Sequence, residues 1–427
     1  MIRIIVSSLI APFLLVFSIL CKANEGTVAF VGATIIDGTD AAPLENGVLV
    51  ITDGRIRTVG PRSDVTLPQG ADVIDLSGKY IMPGLINAHG HVGATIGLNG
   101  NGGYTRVNLL RQLSLYARYG VTAVNSLGGD FGQGFRLRDE QFNSDLNRAR
   151  IYVAGSVVVG DSEEAIRNEV NRNADVGANF IKVRIDDNLG ATPKMSRPFF
   201  EALVDQAHQR RLPVAVHLYY LDDAKFMLRT KADIIAHSVR DLPVDREFID
   251  MVMASDTCYI PTLTREVSTY VYESVPDFFE DPYFLKEVEP AILDELSSPE
   301  RMSQVAGSRS AQIYKAQLPT AMDNVRALHQ EGVRIAMGTD TGPPARFQGY
   351  FEHMEMHMMV DAGMSAHDAI RASTGVAADC IGMGDIGTLE PGKWGDFSIL
   401  AEDPVADIRN SQSIEGVYIA GNLVPDE

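Results

Sequence analysis

Two histidines one residue apart, His89 and His91, close the apolar run Ile81-Met-Pro-Gly-Leu-Ile-Asn-Ala88. If that run is a strand, its side chains alternate between faces, and the pair points the same way. Two imidazoles on one face at a strand end can chelate one divalent ion. A lone His-x-His pair is weak evidence, because surface histidines produce it by chance. Here the pattern recurs. His217 ends Val214-Ala-Val-His217, His237 ends Ile234-Ile-Ala-His237, and Asp340 ends Ala336-Met-Gly-Thr-Asp340. Lys182 lies within Phe180-Ile-Lys-Val-Arg-Ile185. Each has an ordinary reading by itself: a satisfied core or surface histidine, or, for Asp340, a helix cap or turn residue. Their joint placement at strand ends points to a metal site.

Lys182 is the odd member. An ammonium on such a strand is costly to bury and repels a cation. Carbamylated by carbon dioxide, it becomes a bidentate anion that can join two divalent ions. His89, His91 and Asp340 would then serve one ion, and His217 and His237 the other. The competing reading is a lysine that shifts its pKa or reaches solvent beside a single ion. Zinc suits these ligands, and manganese, iron or cobalt fits them too.

Strand parity extends the set. Arg184 lies two beyond Lys182, and Tyr219 two beyond His217, each on its neighbour's face and nearer the strand end. Arg184 is a candidate to hold a substrate carboxylate, and Tyr219 to donate to a carbonyl oxygen as it gains charge. The alternatives are that Arg184 pairs with Asp186 or Asp187 and that Tyr219 only packs. His353 is a further candidate to line the pocket. Met354, Met356, Met358 and Met359 around it read as packing. His208, His329, His357 and His367 read as surface or helix residues.

The elements that must carry these side chains alternate. Short apolar runs near residues 86, 121, 151, 180, 213, 234, 259 and 334 are separated by helical patterns. Such alternation predicts an α/β fold, a (β/α)8 TIM barrel whose site lies at the C-terminal strand ends. An open doubly wound sheet would be expected to carry a Gly-x-Gly-x-x-Gly turn, and Asn99-Gly-Asn-Gly-Gly103 lacks that spacing. Both chain ends instead read as strands. Asp53-Gly54 and Ala420-Gly421-Asn422 are hairpin signals. The economical organisation is a small β-sandwich built from 24–81 and 383–427, with the barrel at 82–382 between them. A long insert, about 264–308, is rich in Phe, Tyr, Pro and acids.

The formal net charge of −19 over 427 residues argues against nucleic acid or an anionic membrane as partner. Residues 1–23 read as a secretory signal peptide, with Arg3 before an apolar run and Ala23 as a cleavage position. An uncleaved membrane anchor, or a lipid on Cys21, is the alternative. The expected location is therefore periplasmic or extracellular. Cys258 and Cys380 read as two unpaired buried thiols. Oligomeric state is left open, a homo-oligomer included.

Together, Pro83-Gly-Leu-Ile-Asn-Ala-His-Gly-His91, the Lys182 strand, His217, Ala236-His-Ser238, Gly338-Thr-Asp340 and Ile386-Gly-Thr-Leu-Glu-Pro-Gly-Lys-Trp-Gly-Asp396 resemble the amidohydrolase superfamily. More narrowly, they resemble its imidazolonepropionase-like and prolidase-like branch, which includes binuclear-zinc Xaa-Pro dipeptidases with a carbamylated lysine. The resemblance implies a barrel with a small β-sandwich and two divalent metals activating a shared water. It implies Asp340 as the group that takes the water's proton and passes it to a leaving amine. It favours Tyr219 over Tyr220. The expected activity is cleavage of an amide in a small-molecule substrate, a dipeptide, N-acyl amino acid or related amide. A lactonase or phosphoesterase on the same site is one alternative. A silent metal- or ligand-binding protein is another, and the intact Lys182 and Asp340 weigh against it.

Overall fold

The computed structural model of the chain describes residues 26–426, so the leader expected at 1–23 lies outside the described residues. The first strands are β1 (Thr27–Ile35), β2 (Leu44–Thr52), β3 (Arg55–Pro61), β4 (Asp72–Asp75) and β5 (Tyr80–Pro83). Seven follow in the middle of the chain: β6 (Leu85–Gly90), β7 (Val121–Ser126), β8 (Arg150–Val153), β9 (Ile181–Arg184), β10 (Val214–His217), β11 (Ile234–Ala236) and β12 (Cys258–Ile260). The last are β13 (Phe397–Leu400), β14 (Ile414–Ile419) and β15 (Asn422–Leu423).

Strands from both ends of the chain share one eight-stranded sheet, in the order β15-β14-β13-β5-β1-β2-β3, with β4 pairing β1. Both expected hairpins form, each on two consecutive positive φ values: Asp53 and Gly54, then Ala420 and Gly421. These turns match the twist of the strands they join. Apolar side chains from the two ends pack together. Phe30 of β1 meets the ring of Phe397 edge-on at 4.9 Å, and Phe397 stacks on Tyr418 at 4.8 Å.

The middle strands are parallel and form two sheets, β6-β7-β8 and β12-β11-β10-β9. Nearly every residue in them is buried, as expected of strands covered on both faces. Helices Arg106–Arg118, Glu163–Asp175, Arg197–Gln209, Leu221–Arg229 and Arg246–Met253 lie between successive strands. Several begin on a side-chain cap, such as Ser162 accepting from the Ala165 amide. Backbone bonds cross both gaps between the sheets. Val158 N–H donates to Lys182 O at 2.8 Å, Ala336 to Tyr259 at 3.0 Å, and Ala88 to Met337 at 2.9 Å. The expected last strand at 334–338 is reduced to a single bridge, Ile335 to Tyr259. Beyond it Thr341 makes a second isolated bridge, to Gly90, after a left-handed Asp340.

A buried ion pair ties the parallel region to the C-terminal strands. Arg150 donates to both oxygens of Asp396, at 2.7 and 3.1 Å, and stands 4.4 Å over the Trp394 ring. A bidentate pair is the geometry in which a buried guanidinium is best compensated.

One expectation is corrected here. Cys258 and Cys380 are joined in a disulfide, their Cα atoms 5.8 Å apart. Cys258 opens β12, and Cys380 ends the helix Gly375–Cys380 packed near it; two cysteines separated by 122 residues carry no pairing signal in their spacing. The 264–308 insert forms a series of short helices. Its aromatic residues Tyr272, Phe279 and Phe284 form a separate core with Tyr119, Tyr350 and Phe351.

Candidate metal centre

Glycine lets the first strand approach its neighbours. A Cβ on Gly84 would meet Thr122 Oγ1 at 2.1 Å, and one on Gly338 would lie 2.9 Å from His89 Cβ. The segment 338–341 can therefore lie directly beside His89, and Asp340 swings in with it. His91 Nε2 is 2.8 Å from Asp340 Oδ1, and His89 Nε2 is 3.6 Å from the same atom. Among the described residues, these three form a compact group of potential metal donors. Lys182 Nζ joins them at 3.1 Å from His89 Nε2. The ring of His237 lies 4.5 Å from that of His89, and the ring of His217 4.2 Å from that of His237. All six residues expected at strand ends thus converge on one place.

The hydrogen bonds of the imidazoles fit a metal. His91 Nδ1 is 3.2 Å from Gly128 O, which leaves Nε2 as the donor atom. His237 Nδ1 is 2.7 Å from Thr262 Oγ1, while its buried Nε2 has no partner. An orphaned buried nitrogen facing other histidines is what a ligand atom looks like without its ion. His217 is the exception, since its Nε2 faces Asp186 Oδ2 at 3.3 Å. Burial, followed by the nearby Lys182 charge, pushes His89 well below the usual range; burial and its neighbour His217 do the same for His237. Burial lowers His217 to about 3 against the pull of Asp186. Neutral imidazoles keep the lone pair that a metal needs. Burial would raise Asp340, but Arg346 and His91 hold it far below the ordinary carboxylate range. Burial brings Lys182 down to about 7.

Three residues here adopt positive φ without being glycine: His237 at 91°, Thr262 at 51° and Asp340 at 57°. Such backbone costs roughly 1–3 kcal/mol each and persists where surrounding contacts enforce it. The contacts are visible. Glu352, fully buried, accepts from Asn87, Thr339, Thr341 and the Gly349 amide. Glu355, likewise buried, accepts from the Leu263 and Thr264 amides and the Thr264 hydroxyl, each at 2.7 Å.

The other expected residues divide. Arg184 is exposed at the end of β9, with no carboxylate within ion-pair distance among the described residues. The Tyr219 hydroxyl donates to Gln317, on the helix Arg309–Gln330. His353 does not line the pocket. It is fully buried, with Nε2 against Tyr119 O at 2.8 Å and Nδ1 against Ser411 Oγ at 2.9 Å, so neither ring nitrogen is free for a substrate. Its helix packs it against the aromatic insert, 5.3 Å from the Tyr283 ring.

Sequence reading missed Thr262, Arg265 and Arg346. Arg346 donates to Asp340 Oδ2, and Arg265 Nε lies 4.0 Å from that oxygen. No local pattern marks Thr262 and Arg265, whose partners His237 and Asp340 are distant in the chain, and Arg346 meets Asp340 only because the left-handed turn at Asp340 folds the chain back.

Comparison with known proteins agrees with the geometry. A 5-methylthioadenosine/S-adenosylhomocysteine deaminase from Symbiobacterium thermophilum is 41% identical over 66 residues, 15% of each chain. An uncharacterized Mycobacterium tuberculosis protein is 26% identical over 225 residues, and the match spans 57% of its length. The chain thus aligns with about half or less of these curated relatives. A deaminase of the first kind from Bacillus cereus is 21% identical over 391 residues, covering 86% of this chain and 84% of that one. Among solved structures, a prolidase candidate from Bifidobacterium longum superposes with a TM-score of 0.75 at 25% identity, covering 93% and 94% of the two chains. A Xaa-Pro dipeptidase with bound methionine gives 0.73 at 20% identity, over 93% and 99%. The amidohydrolase family model matches residues 80–424. The chain belongs to the amidohydrolase family.

Proposed function

We propose that this protein is a metal-dependent hydrolase of C–N bonds, acting on a dipeptide or an N-acyl amino acid. The observation that carries the reading is the convergence of His89, His91, Asp340, Lys182, His217 and His237 at adjoining strand ends, with His237 Nε2 buried and partnerless. We infer further that the two parallel sheets and the 334–341 segment make one closed barrel, since hydrogen bonds span both gaps. Residues 24–81 and 383–427 would form its β-sandwich companion.

His89, His91 and Asp340 would hold one divalent ion, and His217 and His237 a second, zinc being the leading candidate. Lys182, as a carbamate, would join them. Its buried nitrogen beside His89 is better suited to a carbamate than to an ammonium facing a cation. Bound there, divalent ions would acidify a water molecule and polarise an amide carbonyl.

The chain's own groups would do the rest. Asp340 accepts the proton of the attacking water and delivers it to the leaving nitrogen. Arg346 and His91 hold its carboxylate in the ionised form and fix its orientation. Tyr219, on leaving Gln317, can donate to the carbonyl oxygen. Arg184 stands at the rim as a candidate for the substrate carboxylate. Exposed Phe131 and the partly exposed Val157, which flanks Gly128 beside Lys182, offer an apolar wall for an acyl group. We also place the protein outside the cytoplasm, following the leader-like residues 1–23.

The test is a metal assay of the purified chain followed by a screen of dipeptides, N-acyl amino acids and lactones. Two equivalents of metal with turnover confined to amides supports the reading. Lactone turnover alone, or none with metal bound, sinks it.

A further inference from the structure

The segment between His91 and the helix Arg106–Arg118 has a clamped neck and a loosely held tip. At the neck, the Gly93 amide donates to Gln112 Oε1 at 2.6 Å, and Gln112 Nε2 donates to Thr95 O at 2.8 Å. Asn108 Nδ2 lies within 3.0 Å of three carbonyls, those of Gly93, Thr95 and Gly103. The two ends also touch, since a Cβ on Gly103 would lie 2.6 Å from Ala94 O. The tip, 96–102, bonds only to itself. Ile96 and Asn99 exchange backbone hydrogen bonds at 2.9 and 3.0 Å, and the Asn101 amide donates to Asn99 Oδ1. Among the described residues, no hydrogen bond joins this tip to the rest of the chain. Compact loops with joined ends and few outside bonds open at little cost.

The tip stands at the metal centre. Leu98 packs on the aromatic core of the insert, and a Cβ on Gly100 would lie 3.4 Å from Pro344, in the turn after Asp340. A cleft of about 280 Å³ is lined by 100–104 of this segment and by Gly129 and Phe131 of the loop after β7. Gly129 follows Gly128, whose carbonyl is 3.2 Å from His91 Nδ1 and whose Cα faces Lys182. The cleft therefore adjoins the ligand set. Two apolar side chains stand open here, Phe131 at 58% exposure and Ile96 at 53%. Phe131 is nevertheless fixed. Its ring stacks on Tyr104 at 4.1 Å, the Tyr104 hydroxyl donates to Asp130, and Asp130 accepts from Ser126 and the Ala154 amide. A rigid exposed ring beside a cleft gains from being covered. Gly100 points the same way. Its φ is not left-handed, and a Cβ would make only ordinary contact with Pro344. The conformation seen does not require glycine there, and glycine costs entropy when ordered. Its use fits a backbone that takes a second conformation.

Resting on the metal centre of the reading above, and not on the reaction it performs, we propose that 96–102 is a lid. It hinges at the neck that Asn108 and Gln112 clamp. It swings from the insert toward Phe131 and closes the cleft over a metal-bound ligand. Closure brings Ile96 and Phe131 onto one group of that ligand. The lid thus favours ligands with a bulky apolar substituent beside their metal-binding atoms. Leu98 sets the resting position by packing on the aromatic core. Giving up that contact opposes closure, and covering Ile96 and Phe131 drives it, so the ligand shifts the balance by what it adds between them. Closing also removes water from the mouth beside Asp340.

The experiment uses the zinc-loaded full chain and two metal-binding probes that differ in apolar size, acetohydroxamate and benzohydroxamate. Affinity is measured by calorimetry, and backbone hydrogen exchange by mass spectrometry, for wild type, Ile96→Ser, Leu98→Ala and Phe131→Ala. With zinc alone, 96–102 should exchange at least about tenfold faster than the neck at 93–95. Benzohydroxamate should slow exchange in 96–102 at least about threefold, and acetohydroxamate should slow it less. Phe131→Ala and Ile96→Ser should each weaken benzohydroxamate about five- to tenfold and leave acetohydroxamate within about twofold. Leu98→Ala should speed exchange of the tip with zinc alone, while benzohydroxamate still protects it. A tip that exchanges no faster than the neck, or one that bound benzohydroxamate does not protect, overturns the lid. Equal losses of both hydroxamates in Phe131→Ala and Ile96→Ser also overturn it, since they mark a merely structural role. If neither hydroxamate binds the loaded chain, the metal-centre reading fails and the lid with it. Binding without protection removes the lid alone. Turnover enters neither readout, so a protected tip without amide hydrolysis keeps the lid and sinks only the reaction.

Discussion

Replacing both Cys258 and Cys380 by serine should cost stability without touching the chemistry. The disulfide closes a loop with a sequence separation of 122. In the chain-entropy treatment, a loop of that size raises the free energy of the unfolded state by about 5 kcal/mol. That is an upper figure, because a compact unfolded chain has less entropy to lose. Unfolding entropy is about 2.1 cal/mol/K per residue, so for a chain this long the cost corresponds to roughly 5–6 °C in melting temperature. Cys258 opens β12, whereas the residues that hold the site follow its other end, at Thr262 and Arg265. Turnover at 25 °C should therefore stay within about twofold. Calorimetry of the oxidised protein, the reduced protein and the double-serine variant measures the first quantity, and a non-reducing digest identifies the linked peptide. A variant that melts within about 1 °C of the oxidised protein would refute the energetic argument. A digest without a Cys258–Cys380 peptide would refute the bond itself. The same digest bears on location, because such bonds are kept in oxidising compartments.

Asp340→Asn should lower kcat by about 10²–10⁴-fold while metal content by elemental analysis is retained, since the amide cannot accept the proton; full turnover would exclude the proposed role. Thr262→Val removes the partner of His237 Nδ1 and should weaken metal binding about 10–100-fold in a chelator competition. An unchanged competition curve would show that Thr262 does not orient a ligand. Asp396→Asn leaves Arg150 buried beside a neutral amide and should cost about 3–5 kcal/mol in denaturant unfolding; a midpoint like that of wild type would show that the pair does not hold the two regions together.

What the sequence revealed depended on the range of the interactions involved. His89, His91, His217, His237 and Asp340 were legible because each ends an apolar run, and parallel strands bring their C-terminal ends to one side. Lys182 was legible for a related reason, as a cation in a run that should be wholly apolar. Arg265 was not. It sits in a helix turn beside Glu266, where charged residues are usually solvated, and only the fold shows it buried with Arg240. His353 failed in the opposite direction: a histidine on a methionine-rich helix after the last strand is equally compatible with a pocket and with a core. Its partners Tyr119 and Ser411 lie hundreds and tens of residues away in the chain, beyond any periodicity.

That helix, Tyr350–Asp361, matters for a different pair of residues. Glu352 and Glu355 lie three apart and share one face. Both are fully buried carboxylates, and burial raises both, Glu355 to about 7. Each is held by several hydrogen-bond donors rather than by a cation, and each grips a different strained segment. Glu352 bonds Thr339 and Thr341, on either side of Asp340. Glu355 bonds Leu263 and Thr264, between Thr262 and Arg265. Asp340 and Thr262 both have left-handed backbones, and neither conformation would persist in a free loop. One helix therefore fixes the backbone on either side of Asp340 and the segment between Thr262 and Arg265. Their mutual distances are set by two carboxylates on adjacent turns of that helix, so Asp340 and Thr262, whose hydroxyl meets His237, are positioned as one unit.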